Sequence, residues 1–448
     1  MRKLLNIFAI LIPTFLILAA VIPDDAEKNW PQWRGPYGNG IANGNPPVEW
    51  SENKNIKWKI EIPGLGHSTP IVWENQIFVL TAIDGEKVDT PPSQANQNQR
   101  GRRGGRRGWM RGNQPDKKIK YTILSINRDD GKINWQKTSR EEVPHQGTHN
   151  TASWASNSGV TDGKHVWAYY GSRGLYCYDM KGNLQWEKDL GDMQKRLGFG
   201  EGSSPALYND KIVINWDHEG DSFITALDKN TGKEIWRTNR DESTTWSSPY
   251  VVEHNGTAQV IVNATGRISS YNLDTGKLIW ECGGMTMNAI PMPVSIDGIV
   301  YVTTGFRGSA LVAIRLDGAK GDITNTDAVI WTYDRDTPYT PSPLAYKNNL
   351  YILKVNSEIL SCFNAKTGET LFTQKRLDGI KGMYSSPVAA NDRIYFAGRN
   401  GVTSVLKYGP TFEILSTNTL DDNFDASPVI VGNDLYLRGH KYLYSISE

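Results

Sequence analysis

Ala226-Leu227-Asp228-Lys229-Asn230-Thr231-Gly232-Lys233-Glu234-Ile235-Trp236 is the stretch from which the fold can be read. An apolar strand runs into a polar turn, a glycine supplies the positive φ that a tight hairpin needs, and a tryptophan follows four residues later. The same spacing joins Gly131 to Trp135, Gly182 to Trp186, Gly276 to Trp280 and Gly368 to Phe372. A repeated hairpin with an aromatic on its returning strand predicts a repeated sheet, with the aromatic packing across the seam to a neighbour.

Prolines keep step with this phrase at Pro70, Pro205, Pro249, Pro293, Pro343, Pro387 and Pro428, most of them behind Ser or Thr, and Ser158 takes the slot in a degenerate second copy. Pro205 to Pro249 and Pro343 to Pro387 are both 44 residues apart, the period of a four-stranded propeller blade, roughly 40 to 50 residues. Between proline and glycine each copy carries a β-branched and aromatic run, such as Ile212-Val213-Ile214 or Ile394-Tyr395-Phe396. Runs of this kind fit strands covered on both faces. No 3.6-residue apolar period is sustained. The sequence therefore predicts an all-β protein, an eight-bladed β-propeller of four-stranded antiparallel blades.

The last copy stops at Tyr444-Ser445-Ile446 without its fourth strand. Asn55-Ile56-Lys57-Trp58-Lys59 reads as that strand moved to the N-terminus, so that one blade mixes both chain ends and no sheet edge is left exposed. Trp58, Trp135, Trp186, Trp236, Trp280, Trp331 and Phe372 are the expected blade-docking aromatics.

Composition agrees with this reading. The 448 residues carry 49 Lys+Arg against 48 Asp+Glu, so no global charge directs the chain to nucleic acid, and none is expected as a partner. With 43 Gly, 15 Trp and 20 Tyr the balance is that of a turn-rich β protein. Cys177, Cys282 and Cys362 are too widely spaced for a metal pair or a disulfide framework and read as small core residues. Met1-Arg2-Lys3 followed by an apolar run from Ile7 to Ile22 makes 1–26 an export signal, either cleaved or kept as an anchor, and places 27–448 in the periplasm or outside the cell as a single, monomeric propeller. Between 85 and 120 a Gln-, Gly- and Arg-rich insertion interrupts the first blade; residues 100–120 alone hold six Arg, three Lys and one Asp. That composition predicts a disordered loop.

The quoted stretch resembles the tryptophan-docking motif of the pyrroloquinoline-quinone-like (PQQ-like) β-propellers, which include quinoprotein dehydrogenases and the outer-membrane barrel-assembly lipoprotein. Trp30-Pro31-Gln32-Trp33-Arg34-Gly35 is similar to the opening of exported eight-bladed members of that group. The resemblance implies the architecture and the compartment and leaves the ligand open, because the motif joins blades in enzymes and scaffolds alike. A quinoprotein dehydrogenase is expected to hold its quinone between a tryptophan and a pair of adjacent cysteines, above Ca²⁺ bound by Glu, Asn and Asp; adjacent cysteines are absent here.

Propeller ligands sit at the funnel mouth, where the innermost strands begin. Positions just before the register prolines place His67, Trp246, Thr340, Tyr384 and Asp425 there, with Trp154 beside the degenerate copy; His145, His149 and His218 are further polar candidates. Aromatic faces beside imidazoles and a carboxylate suit a sugar ring or another planar ligand. No catalytic residue and no metal site is assigned, since His145 and His149 come with no third ligand. The expected function is a noncatalytic binding or scaffold module for a protein or carbohydrate-like ligand, without a cofactor. The alternatives are a sugar or alcohol oxidoreductase using PQQ with Ca²⁺, and an envelope assembly factor.

Overall fold

The computed structural model describes residues 26–88 and 115–448. The expected export segment therefore lies outside the described residues except for Ala26, as does 89–114 of the insertion. Eight sheets follow one another in chain order: blade 1 (71–142), blade 2 (160–188), blade 3 (206–239), blade 4 (250–283), blade 5 (294–333), blade 6 (344–376), blade 7 (388–419) and blade 8, which combines 429–446 with 56–61. Each holds four antiparallel strands, and the protein is the eight-bladed propeller that the repeats predict. In blade 8 the N-terminal strand Ile56–Glu61 pairs with Tyr442–Ile446 as the outermost strand. No helix among the described residues is long and apolar enough to cross a membrane.

Two departures from the expected pattern have local causes. Blade 1 has strands of 12 and 11 residues, Gln76–Lys87 and Lys117–Asn127, so Gly85–Lys87 and Lys117–Lys120 are strand where a loop was expected over 85–120. Ladder hydrogen bonds and the Asp84–Lys117 ion pair hold this extension together despite its polar composition. Blade 4 gains a fifth strand, Gly321–Asp322, laid parallel to Trp280 and Glu281 by the long connection inside blade 5.

Each blade-end tryptophan reaches across to the turn of the next blade. Trp58 donates its indole N–H to the Arg128 carbonyl (2.9 Å), Trp135 to Met180 (3.1 Å), Trp236 to Leu273 (2.7 Å) and Trp331 to Ala365 (3.0 Å). The rings lie over the turn glycines, so a Cβ on Gly131, Gly182, Gly232, Gly276 or Gly368 would sit 2.5–2.9 Å from the indole of Trp58, Trp135, Trp186, Trp236 or Trp331. Trp280 differs. Blade 5 has no such turn, and the Trp280 N–H turns back to Gln259 Oε1 within its own blade. Phe372 has no N–H to donate and packs on Tyr351 and Phe412.

Gly276 is the sharpest test of these contacts: its φ is +68° and a Cβ added there would stand 2.5 Å from the Trp236 ring, whereas Gly256 at φ +74° has open space around it. Both alanine variants carry the left-handed strain, about 1–3 kcal/mol. Only Gly276→Ala also displaces the indole. Its melting temperature is expected to fall well below that of Gly256→Ala; equal melting would mean that the indole contact carries no weight.

The residue before each register proline has its own task, and in the second copy Ser158 holds this place rather than the proline slot, which falls to Gly159. Around the axis, the backbone N–H of one blade donates to the Ser or Thr hydroxyl of the next: Thr69 to Ser158, Ser158 to Ser204, Ser204 to Ser248, Ser342 to Ser386, Ser386 to Ser427 and Ser427 back to Thr69, all at 2.8–3.2 Å. Met292 joins as donor to Ser342 (3.0 Å) but offers no hydroxyl in return. Proline suits the following position because it brings no N–H of its own to satisfy beside the channel.

One end of the channel is closed by the segment before the first strand. Trp30 pairs with Val72 of blade 1, the Pro31 carbonyl accepts from Thr161 of blade 2, and Gln32 Oε1 accepts from Leu207 N of blade 3. On the far side Gly40 and Ala42 pair with Ala389 of blade 7, and Pro46 accepts from Arg393 and Tyr395. Fully buried Arg34 locks this strap by donating to the carbonyls of Asn39 and Pro343.

Candidate functional site

At the other end of the channel, where the innermost strands begin, lies a cavity of about 260 Å³. Trp33 of the strap lines it and also lines a second cavity of about 480 Å³ among Trp73, Tyr208 and Tyr250, so this one side chain stands between the two. The upper cavity is thus a funnel with a floor.

Of the residues expected at the mouth, His67, Trp246, Thr340, Tyr384 and Asp425 line this cavity, together with His149. The other three lie elsewhere. Trp154 packs into the seam between blades 1 and 2 and faces a separate cavity of about 30 Å³, while Ser156, two residues before the belt hydroxyl of Ser158, takes the mouth position of that copy. His145 lines that smaller cavity as well; its Nε2 meets the Met193 carbonyl (2.8 Å) and its Nδ1 meets Arg173 (2.7 Å), which occupies the ring as a structural link. His218 is a loop staple. Its Nδ1 accepts from Gln194 N and Gly220 N while Nε2 meets the Asp221 carbonyl.

The aromatic walls are held in place from behind. Trp246 donates its indole N–H to the Gly200 carbonyl (2.8 Å) and its backbone N–H to Ala289 (2.8 Å). Tyr384 carries the Arg399 guanidinium over its ring at 4.0 Å and accepts from Thr151 (3.4 Å). Tyr339 stacks on Phe306 at 4.9 Å, and Phe199 meets His149 edge-on at 5.0 Å. Polar groups converge between them: His149 Nδ1 on the Thr151 hydroxyl (2.8 Å), and Asn356, whose Oδ1 accepts from Thr340 N (2.9 Å).

Asp425 is the electrostatic centre. Its Oδ1 accepts from Arg399 Nε (2.6 Å), and its Oδ2 meets His440 Nε2 (2.9 Å) with His67 Nε2 at 3.7 Å. Burial alone would raise this carboxyl, but the His440 hydrogen bond, His67 and Arg399 together hold it below the usual carboxylate range. His67 is pushed the other way. Burial, aided by His440 and the Arg438 and Arg399 charges, lowers it to about 4 against the pull of Asp425, so the ring is neutral at pH 7. Burial likewise lowers His149, with Arg399 adding to it.

His440 and Arg399 are the members that sequence reasoning missed, along with Trp33, Tyr339, Phe199, Asn356 and Glu201. Arg399, His440 and Asn356 stand in loops that follow the second strand of blades 7, 8 and 6. In an antiparallel blade the end of the second strand lies beside the start of the first, so these loops reach the same mouth. The repeat register held that signal too, since it fixes the ends of the second strands as well as the residues before the prolines.

The oxygen donors of a Ca²⁺–quinone site are not free here. Both Glu201 oxygens accept from Ser172, and Asp425 is the only other carboxylate among the described residues lining the cavity, with imidazoles rather than oxygens beside it. Ca²⁺ takes six to eight oxygens. Cys177, Cys282 and Cys362 lie buried in blades 2, 4 and 6, with thiols raised by burial to about 12, 11 and 12. These residues do not fit the group that the dehydrogenase likeness implies.

Three likenesses to known proteins accompany this geometry. The chain is 22% identical over 336 residues to the outer membrane protein assembly factor BamB of Yersinia pestis, covering 71% of this chain and 78% of that one. The crystal structure of BamB from Moraxella catarrhalis superposes with a TM-score of 0.52 at 16% identity, over 72% of this chain and 91% of that one. A europium-containing methanol dehydrogenase reaches 0.64 at 10% identity, over 94% and 99%. At such identities the structural likeness concerns the fold alone. The family model described as outer membrane protein assembly factor BamB matches residues 120–374, more than half of the sequence, and the chain belongs to that family.

Proposed function

We propose that this protein is an exported, noncatalytic binding module that takes a carbohydrate-like, polyhydroxylated ring in the floored funnel. The carrying observation is the set of braced aromatic faces, Trp246, Tyr384 and Tyr339, around the polar tips of His149, Thr151 and Asn356 in a cavity of about 260 Å³. Rings fixed from behind lose little freedom when a sugar stacks on them, which favours affinity. The quinone-dependent reading finds no matching donor set, because Glu201 and Asp425 are the only carboxylates among the described residues lining the cavity and both Glu201 oxygens already accept from Ser172, too few oxygens for Ca²⁺.

The test is calorimetric titration of residues 27–448 with a panel of soluble oligosaccharides, and separately with PQQ with and without Ca²⁺. A saccharide should bind, and Trp246→Ala, checked by melting for intact fold, should weaken it about tenfold, the equivalent of ~1.4 kcal/mol. Absence of saccharide binding, or binding indifferent to Trp246→Ala and Tyr384→Ala, overturns the proposal. Tight Ca²⁺-dependent quinone binding would replace it with the oxidoreductase reading.

Family membership favours a second reading, a role in envelope assembly through a protein partner. Recovery of an envelope protein on the immobilised propeller supports it, and an empty pull-down from solubilised envelopes counts against it.

A further inference from the structure

Beside the sugar-sized space of the funnel stands a group of side chains with a different chemistry. His67, Asp425 and His440 place one donor atom each within 4.8 Å of one another. They come from the two ends of the propeller: His67 from the loop before the innermost strand of blade 1, Asp425 and His440 from the loops before the first and after the second strand of blade 8. Ring closure brings them together. We propose that these three residues bind a single transition-metal ion of the Zn²⁺ or Co²⁺ type, with a fourth coordination position open to the funnel.

The spacing suits such an ion. With metal–ligand bonds of 2.0–2.2 Å, tetrahedral ligand atoms lie roughly 3.4 Å apart. Asp425 Oδ2 lies 3.7 Å from His67 Nε2 and 2.9 Å from His440 Nε2. Only small side-chain adjustments bring both distances to that value.

A second observation points the same way. The His67 side chain is only 11% exposed, yet its Nε2 has no hydrogen-bond partner. A buried polar atom left in this way costs about 1–3 kcal/mol. A metal ion on Nε2 would supply the missing partner. The His67 and His440 rings lie nearly parallel, 19° apart with centroids at 5.1 Å, so neither blocks the other.

Two imidazole nitrogens and one carboxylate oxygen are a donor set for Zn²⁺, Co²⁺ or Ni²⁺ and a poor one for Ca²⁺ or Mg²⁺. Arg399 holds Asp425 from outside, through Nε on Oδ1 at 2.6 Å and a longer contact from Nη2 to Oδ2 at 3.4 Å. That is the outer support a ligating carboxylate ordinarily has. Arg399 and Arg438 also add positive charge near the ion. Asp425 offsets one of them, and Arg438 is turned to the Ser68 carbonyl and hydroxyl. The remaining excess selects an anionic fourth ligand, hydroxide or a carboxylate, over a neutral one.

The experiment uses residues 27–448, stripped with chelator and titrated with Co²⁺ and with Zn²⁺ in the absence of any saccharide. One ion per chain is expected, with the visible absorption of four- or five-coordinate Co²⁺, displaced by Zn²⁺. His440→Ala and His67→Ala should each weaken binding at least about tenfold, and Arg399→Gln should weaken it less. His440 is the more exposed of the two at 31%, so His440→Ala serves where His67→Ala fails to fold. No Co²⁺ band in the wild-type chain, or a band unchanged in His440→Ala at intact melting temperature, overturns the proposal. Saccharide titration of the metal-free protein keeps its failure separable from that of the glycan reading.

Discussion

Trp58→Ala is expected to lower the stability of the whole ring by about 3–5 kcal/mol, the usual cost of deleting a large core aromatic. Trp58 is only 8% exposed and sits on the N-terminal strand that completes blade 8. It touches both sides of the closure. Its N–H goes to the Arg128 carbonyl of blade 1, its ring lies over Gly131 of blade 1, and Tyr436 of its own blade packs at 6.0 Å. Loosening it frees the strand whose pairing with Tyr442–Ile446 joins the two chain ends in blade 8. Trp331→Ala removes a comparable contact between consecutive blades and serves as the reference. Thermal melting should show one cooperative transition at a lower temperature for Trp58→Ala, with earlier proteolysis near the N-terminus than in Trp331→Ala. Melting at the wild-type temperature would show that the strand does not close the ring energetically.

Arg240→Met should be comparably damaging, at about 3–5 kcal/mol, through a different mechanism. The Arg240 and Asp217 side chains are 1% and 0% exposed, and Arg240 Nε donates to Asp217 Oδ1 at 2.8 Å. Thr245 and Asn215 donate to the other oxygen, and Arg240 also reaches Tyr271 Oη. Burial alone would lower the guanidinium, but Asp217 and Tyr271 outweigh it and hold it raised. Without Arg240 the buried carboxylate loses its ion-pair partner, and Lys195, whose Nζ donates to the Asp217 backbone carbonyl, is the positive charge left beside it. Adding Asp217→Asn to Arg240→Met removes that stranded charge and should recover part of the loss. Urea denaturation of both variants measures it. A double variant less stable than the single one would mean that Asp217 is stabilised by the hydroxyl and amide donors alone.

The blade phrase was legible because it answers to local demands. A turn glycine such as Gly232 needs positive φ, and a strand covered on both faces, such as Ile212-Val213-Ile214, needs β-branched residues; both requirements repeat at a fixed period. Even the displaced strand around Trp58 was legible, since its absence from the last copy and its presence before the first are facts of order. Five funnel positions beside register prolines, His67, Trp246, Thr340, Tyr384 and Asp425, follow from the same period. Trp154, His145 and His218 do not: in the second copy Ser158 holds the hydroxyl position, which puts Ser156 rather than Trp154 at the mouth, and the two histidines stand outside the positions before the register prolines.

Fold, blade number and the mouth of the funnel are therefore carried by the order of residues along the chain, where each contact lies within one repeat or between adjacent ones. What closes and furnishes the funnel is not. The strap that sets Trp33 beneath the cavity, the closing hydroxyl link from Ser427 back to Thr69, and the meeting of His67 with Asp425 and His440 each join residues far apart in sequence. Nothing local to Trp33 or His440 distinguishes it from a surface side chain. Those positions take their meaning only when the ring is shut, since closure alone brings the first and last blades to one axis.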